Sequence, residues 1–232
     1  MKQTKIFFVL LLFVFSVAVG FIQVDKETTP IALIKKIVQD VSYRPVDSSD
    51  WEAAKTGAPL KSGEQIKTGF KSLALVLFSD GTGLLRVREN STMYIYGEKE
   101  DNKINKNTFI EKGLVGFDVN KQDAEEFKFT TPTAVAAIRG TAGYIEVGKD
   151  SSTTIVCDHG RIEVESLIGN KEKATVDGGS ALNISKKGVI AKGIISSLEN
   201  DKFNKSTKTS VKKIRIETEE GTIELEFYPE EE

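Results

Sequence analysis

The chain has 232 residues, 39% hydrophobic and 28% charged, which suits one ordinary globular domain with appendages and is long enough to bury a core. Its net charge of −2 shows no basic excess, which argues against nucleic acid as a partner. A single cysteine, Cys157, excludes an internal disulfide, and with a single histidine, His159, it is too little for a zinc-type ligand set.

In chain order, the first segment reads as a targeting signal. Lys2 and Lys5 give a positive start, residues 6–19 an apolar run, and Ala18-Val19-Gly20 a small-x-small cleavage site, so residues 1–20 read as a signal peptide. The alternative is an uncleaved anchor over residues 6–22, at the short end for a bilayer span. Either reading exports the rest to the periplasm or cell surface, and only the second adds a membrane contact. Cleavage would remove the two lysines and take the charge from −2 to −4.

Residues 21–57 read as a spacer with leading strands. Residues 31–46 favour a strand pair over a helix, because Val41 and Tyr43 alternate with polar neighbours and Pro45 ends the run. Residues 51–59 read as a turn or a single helical turn. From Leu73 the pattern becomes regular: Leu73, Leu75 and Leu77 share one face, with Ala74, Val76 and Phe78 on the other, as in a strand covered on both sides. Asp80-Gly81 is the dipeptide that type I′ hairpins prefer. Residues 98–107, EKEDNKINKN, hold one apolar residue, Ile104, and read as a solvated hairpin loop.

Residues 127–147 are predicted to run strand, proline corner, buried strand, glycine corner, strand. Phe127 and Phe129 alternate, Pro132 breaks the ladder, and Ala134 to Ile138 is small and apolar on both faces. Short strands punctuated by glycines continue to residue 190. The fold class is therefore all-β, a sandwich or a short roll or solenoid of stacked β-hairpins. Residues 191–232 hold a helix over 194–203, a polar linker and a C-terminal hairpin. There Ile214, Ile216 and Thr218 are set opposite Phe227, Leu225 and Ile223, with Arg215 opposite Glu226. Such a hairpin is barely stable alone and should dock on something, its own domain or a partner's sheet edge.

Groups suited to chemistry are sparse. Cys157 and His159, two apart on a strand, would project from one face about 7 Å apart, and Asp158 from the other. Without a second histidine, the reading preferred is a buried strand end and a turn. Calcium at 98–101 is a minor alternative. Trp51, Tyr94 and Tyr96 could form a sugar platform, but core or rim positions suit them as well. No catalytic, cofactor-binding or metal-binding residue is assigned.

The run FKFTTPTAVAAIRGT at 127–141 resembles the centre of the FecR domain, an extracytoplasmic all-β module. Gly63-Glu64-Gln65-Ile66-Lys67-Thr68-Gly69, the hairpin LVLFSDGTG at 75–83, Lys112-Gly113-Leu114-Val115 and His159-Gly160-Arg161-Ile162-Glu163-Val164 resemble its other motifs in order. The resemblance spans about residues 58–190. It implies a periplasmic module which, in FecR proteins, receives a signal from an outer-membrane receptor and follows a cytoplasmic anti-sigma segment. Only five residues, Met1 to Lys5, precede the apolar run, so the expectation is the extracytoplasmic module alone, without direct sigma-factor control. An exported, non-enzymatic protein-interaction or envelope signalling or scaffold module follows, its partner another envelope protein. A glycan- or peptidoglycan-binding module is the alternative and a cysteine-dependent cell-wall enzyme the remote one.

Overall fold

The computed structural model describes residues 29–100, 103–121, 127–207, 212–218 and 221–227. The expected signal over residues 1–20 lies outside them. Among the described residues, no helix is long and apolar enough to cross a membrane.

The strands are β1 (Ala32–Val38), β2 (Val41–Arg44), β3 (Glu52–Ala53), β4 (Pro59–Leu60), β5 (Gln65–Thr68), β6 (Leu73–Phe78), β7 (Gly83–Val87), β8 (Thr92–Glu100) and β9 (Lys103–Val119). They continue with β10 (Phe127–Thr130), β11 (Ala134–Ile138), β12 (Thr141–Val147), β13 (Thr153–His159), β14 (Arg161–Ser166), β15 (Lys173–Asp177), β16 (Ser180–Ile184) and β17 (Ile190–Ile194). Among the described residues one helix, α1 (Ser197–Thr207), precedes the hairpin of β18 (Lys212–Thr218) and β19 (Gly221–Phe227).

Among the described residues seventeen strands form one open sheet, with the hairpin separate. The sheet doubles over along β9. Its amino-terminal part pairs with β8 and β10, and its carboxy-terminal part with β7 and β12. Gly113 sits at that changeover with φ +94°, where a Cβ would collide with Ser91, so glycine is needed for both backbone and space. The front layer runs β4-β1-β6-β7-β9-β12-β13-β16-β17. The back layer runs β3-β2-β5-β8-β9-β10-β11-β14-β15.

One core lies between the layers. Phe78 of the front meets Phe127 of the back edge-on at 5.2 Å, and Phe117 meets Phe129 at 5.3 Å. Helix α1 covers the front layer's outer face: Lys202 Nζ lies 2.6 Å from Glu146 Oε2, and a Cβ on Gly116 would lie 2.6 Å from the Ser206 carbonyl oxygen. Tyr144 is sealed beneath it with Val156 and Ala181.

The proline corner explains the TTPT run. Thr131 Oγ1 and Thr133 Oγ1 lie 2.9 and 2.7 Å from Thr153 Oγ1, so three buried hydroxyls replace the ladder that proline interrupts.

Some expectations need correction. Residues 98–107 are mostly strand: β8 and β9 pair through Glu100 and Lys103. Lys106 points into the core beside Ile104, neutralised by Asp80, and this hid the alternation. The first two strands do not pair with each other; β1 joins β6 and β2 joins β5, putting them in different layers. Residues 51–59 hold the expected turn, closed by the Ala58 amide donating to the Lys55 carbonyl at 3.1 Å between β3 and the start of β4, and not the helical-turn alternative. At the Asp80-Gly81 turn only Gly81 has positive φ (+73°), so the turn is not type I′. β11 is buried on one face only, Val135 and Ala137 being half-buried. Ile194 belongs to β17, and the helix begins three residues later, where Ser196 and Glu199 close a capping box. The C-terminal hairpin pairs Ile214 with Leu225, Ile216 with Ile223 and Arg215 with Glu224, two residues tighter than expected. A two-residue shift keeps each side chain on its face, so apolar pattern alone could not distinguish the registers.

Candidate functional site

Cys157 and His159 do not meet as nucleophile and base. The thiol is fully buried and donates to the His159 carbonyl at 3.3 Å, while the His159 ring is exposed. Burial, then Asp158 and Asp177, push the thiol up to about 11, so it stays protonated at neutral pH. The imidazole Nδ1 lies 3.3 Å from Asp158 Oδ2, contrary to the expectation that Asp158 points away. The reason is a register shift: Ala142 opposes His159, Gly143 opposes Cys157, and Asp158 is left over as a bulge that breaks the alternation. Among the described residues no group of three or more His, Cys, Asp or Glu side chains is placed to hold a metal ion. Of the loop considered for calcium, Asp101 lies outside the described residues.

The feature that stands out is the outer face of the back layer. Cross-strand neighbours there form a row from Arg44 and Gln65 through Tyr94, Phe109, Thr130 and Val135 to Glu165 and Lys173. A second row runs from Tyr96 through Asn107, Lys128, Ala137 and Glu163 to Thr175. With strands about 4.8 Å apart, the face from β2 to β15 is about 34 Å long.

One end of this face is aromatic. Tyr94 and Tyr96 stack at 6.4 Å with their planes 7° apart, and Tyr94 meets Phe109 edge-on at 5.5 Å. Tyr94 donates to Glu111 Oε2 at 3.2 Å, and burial together with that carboxylate raises its pKa. Trp51 lies under two cations, Arg44 at 5.0 Å and Lys67 at 5.6 Å, which fix its ring. So Trp51 and Tyr96, with exposures of 37% and 38%, face solvent.

The other end is a shallow groove of about 790 Å³ floored by Val135, Ala137 and Ala174 and rimmed by Asn107, Lys128, Glu163 and Glu165. Its polar rim is partly preset: Thr130 donates to Asn107 at 2.9 Å, and Lys173 lies 3.4 Å from Glu165. Such a surface, apolar in floor and mixed in charge, can take an extended polymer or another protein's surface. Sequence reasoning singled out the three aromatics but not the groove, whose residues are the outward half of ordinary alternating strands.

A second cleft, of about 1150 Å³, lies where α1 meets β12 and includes Arg88, Lys112, Lys149 and Lys205. The Lys202–Glu146 contact spans it, and Glu89 and Glu111 offset its cations.

Comparison with known proteins bears on the whole. No curated protein matches the chain. Two crystal structures of a proposed anti-sigma factor from Parabacteroides distasonis align with TM-scores of 0.48 and 0.47 at 16% and 15% identity. Each alignment covers 56% of this chain and 59% of that protein, so the chain spans about three fifths of their length. The family model described as FecR protein matches residues 64–163, from the Gly-flanked β5 through the buried strand and glycine corner to β14. Residues 64–163 of this chain thus match the FecR domain.

Proposed function

We propose that the chain is an exported, non-enzymatic interaction module of the cell envelope, which contacts another envelope protein through the outer face of the back layer. A FecR domain fits a signalling module, and this coarser assignment rests on the match over residues 64–163. The observation that carries the finer reading is the solvent-facing strip from Trp51 and Tyr96 to the groove at Glu163 and Lys128: aromatic anchors at one end, adaptable polar groups at the other. Export rests on the charged, then apolar, start of the sequence. The buried, protonated thiol supports a role without bond-making.

Cross-linking in intact cells, followed by identification of adducts, tests this. Recovery of the chain bound to a second envelope protein supports the proposal. Adducts with peptidoglycan fragments and no protein would favour the second reading, a glycan platform. That reading draws on one observation, the outward stacking of Tyr94 on Tyr96, because stacked rings on a flat sheet suit sugar faces.

A further inference from the structure

The edges of an open sheet are where a further strand can add, and proteins normally blunt them. Among the described residues the sheet has four. β3 and β4 are only two residues long. β15 is guarded by Lys173 and Asp177, both in ion pairs. β17 is longer than β3 and β4 and carries one charge where β15 carries two: it reads Ile-Ala-Lys-Gly-Ile, pairs with β16, and its Lys192 Nζ lies 3.3 Å from Asp177 Oδ2. Ile194 is 85% exposed, flanked in sequence by Val189 at 65% and Leu198 at 66%.

We propose that β17 is a docking edge for a second copy of this chain, which adds its β19 strand there in the manner of β-augmentation. Strand length fits: β19 has seven residues in strict alternation, Thr222, Glu224 and Glu226 against Ile223, Leu225 and Phe227, and β17 has five. Charge fits too. Residues 170–195, around the receiving edge, carry five lysines against two carboxylates, whereas residues 212–232 carry eight carboxylates against three cations.

The chain's own hairpin cannot fill this place. α1 leaves the β17 edge and carries the backbone across the front layer until Ser206 rests on Gly116 of β9. The slot beyond β17 is five strand spacings from β9, about 24 Å. The five steps from Thr207 to Lys212 reach about 18 Å at full extension. The donor strand must therefore come from another molecule. Because donor and acceptor surfaces differ, the association runs head to tail, or closes when two chains exchange hairpins reciprocally.

Sedimentation velocity of the full chain across micromolar concentrations tests this. The expected result is a mass that rises above the monomer with concentration and falls with added salt. Ile194→Glu, at an exposed position that leaves the core untouched, should weaken association by about tenfold or more by opposing the acidic strand. Glu226→Lys on the Ile194→Glu background should recover part of the loss. A monomer at every concentration, or an Ile194→Glu chain that associates like the parent, would overturn the proposal. The back-layer interface does not depend on it: a monomer that still cross-links to another envelope protein in cells would sink this inference and leave the proposed function standing.

Discussion

The pair Lys106–Asp80 should be the most sensitive polar feature of the core. Lys106 Nζ lies 2.5 Å from Asp80 Oδ2, with side-chain exposures of 0% and 5%. The ammonium also donates to the Ile104 carbonyl at 2.8 Å and sits 5.6 and 5.8 Å from the Phe78 and Phe127 ring centres. Asp80 Oδ1 accepts from the Thr82 amide at 3.1 Å and its hydroxyl at 2.8 Å. Oδ2 accepts no hydrogen bond of ordinary geometry, so its contact with Lys106 is ionic. With an effective dielectric near 20, attraction at this distance is about 7 kcal/mol, and desolvating two ions at several kcal/mol each cancels most of it. The intact pair should therefore be close to neutral in stability. Asp80→Asn keeps an acceptor for Thr82 but leaves a buried ammonium uncompensated, which should cost about 3–5 kcal/mol. Adding Lys106→Met removes that charge, and the double variant should regain at least about 2 kcal/mol. Urea unfolding of the four proteins measures the cycle. If Asp80→Asn lies within about 0.5 kcal/mol of the parent, as for an exposed pair, the reasoning fails.

Other predictions follow from single sites. Gly143→Ala drives a methyl into the Val156 carbonyl and within 2.9 Å of Phe117 Cζ, so urea unfolding should show a loss of about 1–3 kcal/mol. Cys157, buried and with its pKa pushed up to about 11, should resist iodoacetamide at neutral pH in the native chain and react promptly in denaturant. Burial raises the Glu64 pKa above its ordinary 4.5, outweighing the hydrogen bond from the Lys61 amide, so the native state holds the proton more tightly than the unfolded chain. Its stabilising contribution is thus present below 4.5 and lost as pH rises through the folded value, and Glu64→Gln should gain stability relative to the parent over that rise. Asp177 has the opposite sign. Hydrogen bonds from Arg161 and Lys192 hold its pKa below the ordinary carboxylate value, so its contribution is lost as pH falls, and Asp177→Asn should flatten that acid limb.

The β10–β12 segment was readable from residues alone because its phenylalanines alternate and its corners are marked by proline and glycine, each with a local conformational cause. The β8–β9 hairpin was not, since a lysine at an inward position looks polar until its partner is known, and Asp80 lies 26 residues upstream. The helix start was legible in Ser196 and Glu199, a capping signal that apolar periodicity overrode. Of the candidate face, the three aromatics could be named but not aimed: alternation puts Tyr94 and Tyr96 on one side without saying which side is wet. That is decided by the opposite residues, Met93 and Ile95, which fill the core. The groove depends on β14 and β15 lying beside β11, a long-range pairing that sequence periodicity does not encode.

The central claim is that the outer face of the back layer meets a protein partner in the envelope. A photo-cross-linking residue placed at Tyr96 in the native chain, with Asp118 on the front layer's outer face as control, tests it in intact cells. The account predicts a discrete adduct with another envelope protein from position 96 and none from position 118. Equal labelling from both positions, or no protein adduct from position 96, would contradict it.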